Sequence, residues 1–276
     1  MPIELHCHSC ASDGDCTPTE LVERALALGL TSLAITDHDC VDGVAEAVEA
    51  ARPLSLRIIP GVELSCHFEG GEIHLLGYFF EYRDPDFLEL LEEMKQERRQ
   101  RVRMILEKLR ELNVELTFDE VEQQASGEAI GRPHVARALV AGGYSSSVAA
   151  AFDRYIGNSA PAYVGRSLLS LEQGIEAIFR AGGVSVLAHP GVYRDWAKVE
   201  RILRLPVTGV EVWHPSHKRA DRKKAKKLGG RYQKILTGGS DFHGPRGDYH
   251  ELGSIPVTEG VVTKLLNATT RESALV

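Results

Sequence analysis

The sequence predicts an α/β fold, a single (β/α) barrel carrying a helical insertion, and three observations predict it. Short apolar strands alternate with amphipathic helices near both ends of the chain, the pattern of a parallel sheet. Between residues 81 and 164 that alternation gives way to continuous helical spacing. The length, 276 residues, suits a barrel of about 250 residues with an addition.

The chain opens with an extended segment, Ile3 to His8. Thr17-Pro18-Thr19-Glu20 then supplies a capping hydroxyl, a proline at the first helical position and a glutamate at the third, so a helix is expected from there to Gly29. A strand from Ser32 to Thr36, a helix from about Gly43 to Ala51 and a strand from Arg57 to Glu63 follow. The Gly70-Gly71 turn introduces a fourth strand, Glu72 to Phe80. From Phe87 the run FLELLEEMKQERRQRVRMILEKLREL places apolar residues at helical spacing with charge on the other faces. Residues 1–80 and 165–276 are therefore expected to form the barrel, and 81–164 the insertion. The barrel resumes with a helix capped by Ser170 and Gln173, and with strands at Gly183 to His189, Thr208 to Trp213 and Lys234 to Asp241. A last strand is expected near Glu251 to Val257.

Composition narrows the function. With 43% hydrophobic and 26% charged residues the chain is an ordinary globular one, and no run reaches the ~18 apolar residues of a membrane span. The start MPIELHCH puts Glu4 and two histidines where a signal peptide needs an apolar run, so a cytoplasmic protein without a membrane partner is expected. A net charge of -7 argues against duplex DNA as a partner while leaving room for a small anion held by a local basic cluster. Nothing implies an obligate protein partner. Five cysteines, all within the first quarter, read as thiols.

The histidines and carboxylates carry the chemistry. His6 and His8 stand two apart in a strand and share a face. His38, Glu63, His189, Asp241 and His243 fall at strand ends, His74 within the fourth strand and Asp13 in the first loop. The carboxyl ends of barrel strands form the active-site mouth, so these nine residues converge there although they are scattered along the chain. A lone histidine at a strand end is more often a satisfied polar group than a ligand; nine such groups together favour metal binding. Mixed nitrogen and oxygen donors suit Mn²⁺, Zn²⁺ or Fe²⁺ rather than Ca²⁺ or a lone Mg²⁺.

His6-Cys7-His8 with Ser12-Asp13-Gly14, Ile35-Thr36-Asp37-His38, Gly61-Val62-Glu63, His74, Ala188-His189-Pro190 and Gly239-Ser240-Asp241-Phe242-His243 resemble, in order, the motifs of the PHP (polymerase and histidinol phosphatase) superfamily. Within it, the helical insertion with Arg98 and Arg101, followed by Gly131-Arg132-Pro133-His134, is similar to the branch that removes the 3′-phosphate from 3′,5′-bisphosphorylated nucleosides; some members also trim short RNA from the 5′ end. The resemblance implies a distorted (β/α)7 TIM-like barrel and two or three divalent ions. His6, His8, Glu63 and Asp241 would hold the first, Glu63 as a bridge with His74 and His189 the second, and Asp13, His38 and His243 the third. Asp13 is an oxygen ligand where some members have histidine.

Ions bridged by one carboxylate, about 3.5–4 Å apart, lower the pKa of a shared water toward neutrality, which supplies a hydroxide for in-line attack on a phosphoryl group. Asp13, His38, Glu63 and Asp241 are the residues expected to carry this chemistry. Arg98 and Arg101, three apart on one helix face, and Arg132 and His134 are expected to bind a second phosphate, since an arginine fork holds phosphate bidentately. A solvated helix face is the alternative for these charges. The function expected is removal of the 3′-phosphate from nucleoside bisphosphates, with 5′-3′ hydrolysis of short single-stranded RNA as an extension. A phosphatase for another ester such as histidinol phosphate, and a non-catalytic metal-binding module, are the alternatives. Lys218 to Arg231 reads either as a track for RNA or as the solvated outer helix of a barrel, and His214 and His217 either line the pocket or sit on the loop surface. Cys7 alternates with two ligand candidates and is expected to be a buried thiol; Cys40 and Cys66 follow ligand candidates closely enough to make the site oxidation-sensitive.

Overall fold

The computed structural model describes residues 2–125, 127–165, 169–245 and 251–272. Its elements are β1 (Glu4–Cys7), α1 (Pro18–Ala27), β2 (Ser32–Ile35), α2 (Asp42–Ala51), β3 (Arg57–Phe68), β4 (Gly71–Tyr78), α3 (Pro85–Glu111), α4 (Phe118–Glu122), α5 (Arg132–Ala141), α6 (Val148–Ala151), a π-helical turn (Phe152–Ile156), β5 (Leu169–Ser170), α7 (Leu171–Arg180), β6 (Val184–Leu187), α8 (Trp196–Ile202), β7 (Gly209–Trp213), α9 (Arg219–Arg231), β8 (Ile235–Gly238) and α10 (Glu259–Glu272). The capping signals act as expected: the Thr17 and Glu20 pair starts α1 and the Ser170 and Gln173 pair starts α7.

The sheet runs β1-β2-β3-β4-β6-β7-β8, with β5 attached to β3. A bridge between Cys7 and Phe242 brings its ends together, with the His8 N–H donating to the Phe242 carbonyl at 2.8 Å. This is the distorted seven-stranded barrel. An all-parallel sheet is not what forms, because β4 runs antiparallel to both β3 and β6. The cause is local: Gly70, at φ +76°, lets the chain reverse in a tight turn, so the fourth strand returns as a hairpin instead of through a helix. β3 also continues past Glu63 to Phe68, its first half paired with β2 and its second with β4, so Glu63 lies within the strand rather than at its end. The segment from Glu251 forms no strand; Thr258 makes one bridge to Pro2 before α10 begins.

The barrel interior is filled by Ile3, Leu5, Leu76, Tyr78, Val184 and Val186, and Val262 and Leu265 of α10 join the same cluster. With that core beneath it, the polar mouth lies at the carboxyl ends of the strands. Helices α3 to α6 carry a separate core in which Val102, Ile105 and Leu109 of α3 meet Val121, Val135, Leu139 and Ile156. No described helix is long and apolar enough to cross a membrane. All five cysteines are free thiols, and Cys7 is fully buried with its Sγ donating to the Ala34 carbonyl.

Candidate metal centre

The nine candidate ligands meet at the barrel mouth. The pleat turns His6 inward at the end of β1 and His8 follows beyond the strand; both are fully buried. Gly239 permits their approach to the far end of the sheet, since a Cβ there would lie 2.2 Å from the Cβ of His6. His189 and Asp241 leave their strands at φ +26° and +53°, a left-handed turn that costs of order 1–3 kcal/mol in a residue other than glycine.

Glu63, 1% exposed, is the hub. Its Oε1 lies 2.9 Å from His74 Nδ1 and 2.9 Å from His189 Nε2. Its Oε2 lies 3.4 Å from Nε2 of His6, 3.4 Å from Nε2 of His8 and 3.1 Å from Nδ1 of His38. Asp241 Oδ1 closes the first group at 3.3 Å from His6 and 3.1 Å from His8. Beside it, Asp13 stands 3.3 Å from His243 Nε2 and 4.0 Å from His38 Nε2. One donor atom from each of His6, His8, Glu63 and Asp241 lies within 4.8 Å of the other three, and the same holds for His8, Asp13, His38 and His243 and for His38, Glu63 and His74.

These residues fit divalent ions. The buried atoms His6 Nε2, His8 Nδ1 and His38 Nδ1 have no hydrogen-bond partner among the described residues, although carboxylate oxygens stand 3.1–3.9 Å from them. Nitrogen and oxygen lone pairs that face one another without sharing a proton are arranged as ligands to a common cation. The electrostatics agree. Burial alone would raise the Glu63 carboxyl, but the rings of His38, His74 and His6 outweigh it and hold Glu63 well below the ordinary carboxylate range. Burial likewise opposes charge on the His38 and His74 rings: at His38 it prevails and takes the ring down to about 3, whereas at His74 the Glu63 carboxylate overcomes it and raises the ring to about 10.

Several groups that the sequence did not single out organise this cluster. Glu211 of β7, fully buried, has Oε1 3.2 Å from Nδ1 of His6 while its Oε2 accepts the backbone N–H of His189 at 2.8 Å. Glu4 accepts from the backbone of His6 and Ser240, tying β1 to the loop that carries Asp241. Asp37 accepts from the hydroxyls of Ser9 and Ser12, both at 2.6 Å, and so shapes the loop leading to Asp13. The signal was a carboxylate amid apolar strand residues, as in Gly209-Val210-Glu211-Val212: such a group must find a buried partner. His214 resolves to the pocket rather than the loop surface, 2% exposed with Nε2 3.3 Å from Asp241 Oδ2. His217 is also buried, fastened to the Val212 carbonyl at 2.9 Å.

A cavity of about 370 Å³ opens onto the cluster, lined by Asp13, His38, Glu63, His74, His189, Asp241 and His243, together with Val192, His214 and Ser216 and with Pro133, Arg137 and Phe152 of the helical segment. Of the four expected phosphate-binding residues none lines the cavity itself. Arg98 is buried with Nε donating to Asp39 at 2.6 Å, and Arg101 Nε donates to the Val164 carbonyl at 2.9 Å. His134 turns Nδ1 back to accept the Gly131 N–H. Arg132 donates to Asn158, lies 3.7 Å from Glu72 and sits over the rings of Phe152 and Tyr163. Arg137, which spacing did not mark, is the helical segment's cation at the cavity wall and donates to the Asp13 carbonyl.

An α/β barrel with buried imidazoles and carboxylates around one bridging glutamate defines a class, the metal-dependent phosphoesterases. Residues 4–160 match the PHP domain family. A 5′-3′ exoribonuclease of Haemophilus influenzae is 36% identical over 255 residues, 91% of this chain and 92% of that protein. A 3′,5′-nucleoside bisphosphate phosphatase of Chromobacterium violaceum is 34% identical over 258 residues, covering 91% and 90%. A crystal structure from Bifidobacterium adolescentis, assigned as a metal-dependent phosphoesterase, superposes with a TM-score of 0.88 at 30% identity and covers 97% of both chains. The chain belongs to the PHP domain family and is a metal-dependent hydrolase.

Proposed function

We propose that this enzyme cleaves the phosphate ester on the 3′ side of a nucleotide that carries a free 5′-phosphate. The substrate is a nucleoside 3′,5′-bisphosphate or, by the same geometry, the first residue of a short single-stranded RNA. One observation carries the reading: the Glu72 carboxylate links Arg132 to the metal cluster, 3.5 Å from Nε2 of His74 and 3.7 Å from the guanidinium of Arg132. An arginine thus stands one side chain away from the metal cluster, a spacing suited to two phosphates on one nucleoside.

Two or three divalent ions, Mn²⁺, Fe²⁺ or Zn²⁺, would be held by His6, His8, Glu63 and Asp241, by Glu63, His74 and His189, and by Asp13, His38 and His243. When bound they supply an activated water and neutralise charge on the phosphoryl oxygens. Asp13, His38, Glu63 and Asp241 fix the positions at which that charge develops, and Glu63 couples the groups because its two oxygens face different imidazoles. Phe152 and Val192 add apolar surface to the cavity wall, which limits water there. Residues 81–164 act as the substrate wall set on a barrel of 1–80 and 165–276. There Arg132, with Arg98, Arg101 and His134 behind it, forms the 5′-phosphate side. Arg98 stays anchored to Asp39, and its Nη1 is so near Gly131 that a Cβ there would lie 2.8 Å away, so the residue that precedes Arg132 must be glycine for the two arginines to stand together.

The test is product identity. Adenosine 3′,5′-bisphosphate should yield 5′-AMP and inorganic phosphate; release of 3′-AMP instead would reverse the assignment of the two phosphate positions.

A further inference from the structure

We propose that the exposed face of α9 is a docking track for the single-stranded nucleic acid that continues 3′ of the nucleotide in the pocket, a surface in addition to the metal centre and its arginine wall. It rests on the reading above for the position of the first nucleotide. The segment from Lys218 to Arg231 holds eight Lys or Arg residues against one acid, Asp221, in a chain whose net charge is -7. Few of these cations are used by the fold. Arg231 pairs with Glu200 and Arg222 reaches the His214 carbonyl at 3.5 Å. Arg219, Lys223, Lys226 and Lys227 are exposed and engage no carboxylate among the described residues. Arg219, Lys223 and then Lys226 and Lys227 follow at steps of three or four residues, with the last two side by side, which puts them along one side of the helix. Only Ala225 and Gly229 of the helix are buried, so the row faces water along its length.

Position separates this row from an ordinary solvated face. Ser216 lines the metal-site cavity, and α9 begins three residues later. The intervening turn is rigid: His217 Nε2 accepts the Gly191 N–H at 3.0 Å, and its Nδ1 lies against the Val212 carbonyl. The helix therefore starts beside the mouth of the cavity. A strand whose scissile phosphate lies at the metal cluster and whose 3′ part leaves the cavity past Ser216 reaches Arg219 and Lys223 next. Lys224 lies over the ring of Trp196, 5.6 Å from its centroid, so an aromatic side chain flanks the cationic row, the combination that single strands favour. With 13 residues α9 is about 20 Å long, enough for a few nucleotides. The row reads phosphates and not bases, so RNA and DNA strands should compete for it equally.

The experiment compares the wild-type enzyme with the triple variant Lys223→Ala, Lys226→Ala and Lys227→Ala, loaded with Mn²⁺, on adenosine 3′,5′-bisphosphate and on a 5′-phosphorylated six-nucleotide RNA. Expected is a rise of at least 10-fold in KM for the RNA, with bisphosphate turnover unchanged within 2-fold. The slope of log affinity against log salt for the RNA should shrink by about 2, as three lost contacts on a single strand require. Equal loss on both substrates, or an RNA KM and salt slope that do not move, overturns the proposal. If neither substrate is hydrolysed, the reading of the pocket fails while α9 is still judged, by fluorescence anisotropy with a 3′-labelled strand. Binding that weakens in the triple variant, and in the charge reversal Lys226→Glu with Lys227→Glu, keeps the track; absent or unchanged binding rejects it.

Discussion

Glu211 and His6 are both fully buried and face one another at 3.2 Å, carboxylate oxygen to Nδ1, with the Nε2 of His6 turned toward Glu63 and Asp241. A carboxylate behind a ligating imidazole fixes the tautomer and raises the basicity of the ligand.

Glu211→Gln keeps the shape of the side chain and removes its charge, so metal affinity should fall 10- to 100-fold. Titration with Mn²⁺ followed by calorimetry checks this. Affinity equal to that of the wild type would reduce Glu211 to a packing role.

Glu63 and Asp13 occupy different places in the cluster, and their variants should differ in metal content. Glu63→Ala removes the group shared by the largest number of imidazoles and is expected to lose most bound metal and at least 1,000-fold in turnover. Asp13→Ala should lose about one ion per chain, because His6, His8 and Asp241 remain in place. Elemental analysis of the two purified variants distinguishes them.

Arg132→Ala should lower kcat/KM for adenosine 3′,5′-bisphosphate by 10- to 100-fold, in line with the roughly 1.5–3 kcal/mol of a charge-assisted hydrogen bond. Turnover of 3′-AMP, which has no 5′-phosphate, should stay within 2-fold of the wild type. Equal losses on both would place Arg132 in the metal site's support and not at a second phosphate.

Stability should depend on pH through His134. Burial, with Arg137 and Arg98 nearby, takes this ring down to about 4 against the opposing pull of Asp13. The folded state thus prefers the neutral ring and binds fewer protons than the unfolded chain. Its contribution, about 3 kcal/mol, is present above pH ~6.5 and is lost as pH falls from there toward 4. His134→Gln retains an acceptor for the Gly131 N–H and should flatten that part of the stability profile, measured by urea unfolding at pH 5 and pH 7.

Much of the centre was legible in the sequence because barrel geometry gathers strand ends, so His6, His8, His38, His189 and Asp241 could be placed together from strand boundaries alone. Glu63 was expected at a strand end and lies within β3, whereas His74 was placed within the fourth strand and lies there; what stayed hidden was the β4 reversal that pairs Ser65 with His74, because an apolar strand looks alike in either direction. Glu211 and Asp37 escaped because they act on other residues and not on the cavity, and residue spacing carries no record of such second contacts. The row on α9 was visible as composition, yet only the position of Ser216 ties it to the cavity mouth.

The central claim, one pocket that holds a metal-bound phosphate and reads a second, is tested most directly by kcat/KM of the Mn²⁺-loaded enzyme on adenosine 3′,5′-bisphosphate, 3′-AMP and 5′-AMP. A bisphosphate preference of about 100-fold over 3′-AMP, with 5′-AMP accumulating unhydrolysed, is the predicted result. Equal rates on all three would contradict it and leave a metal-dependent phosphoesterase with no second phosphate site.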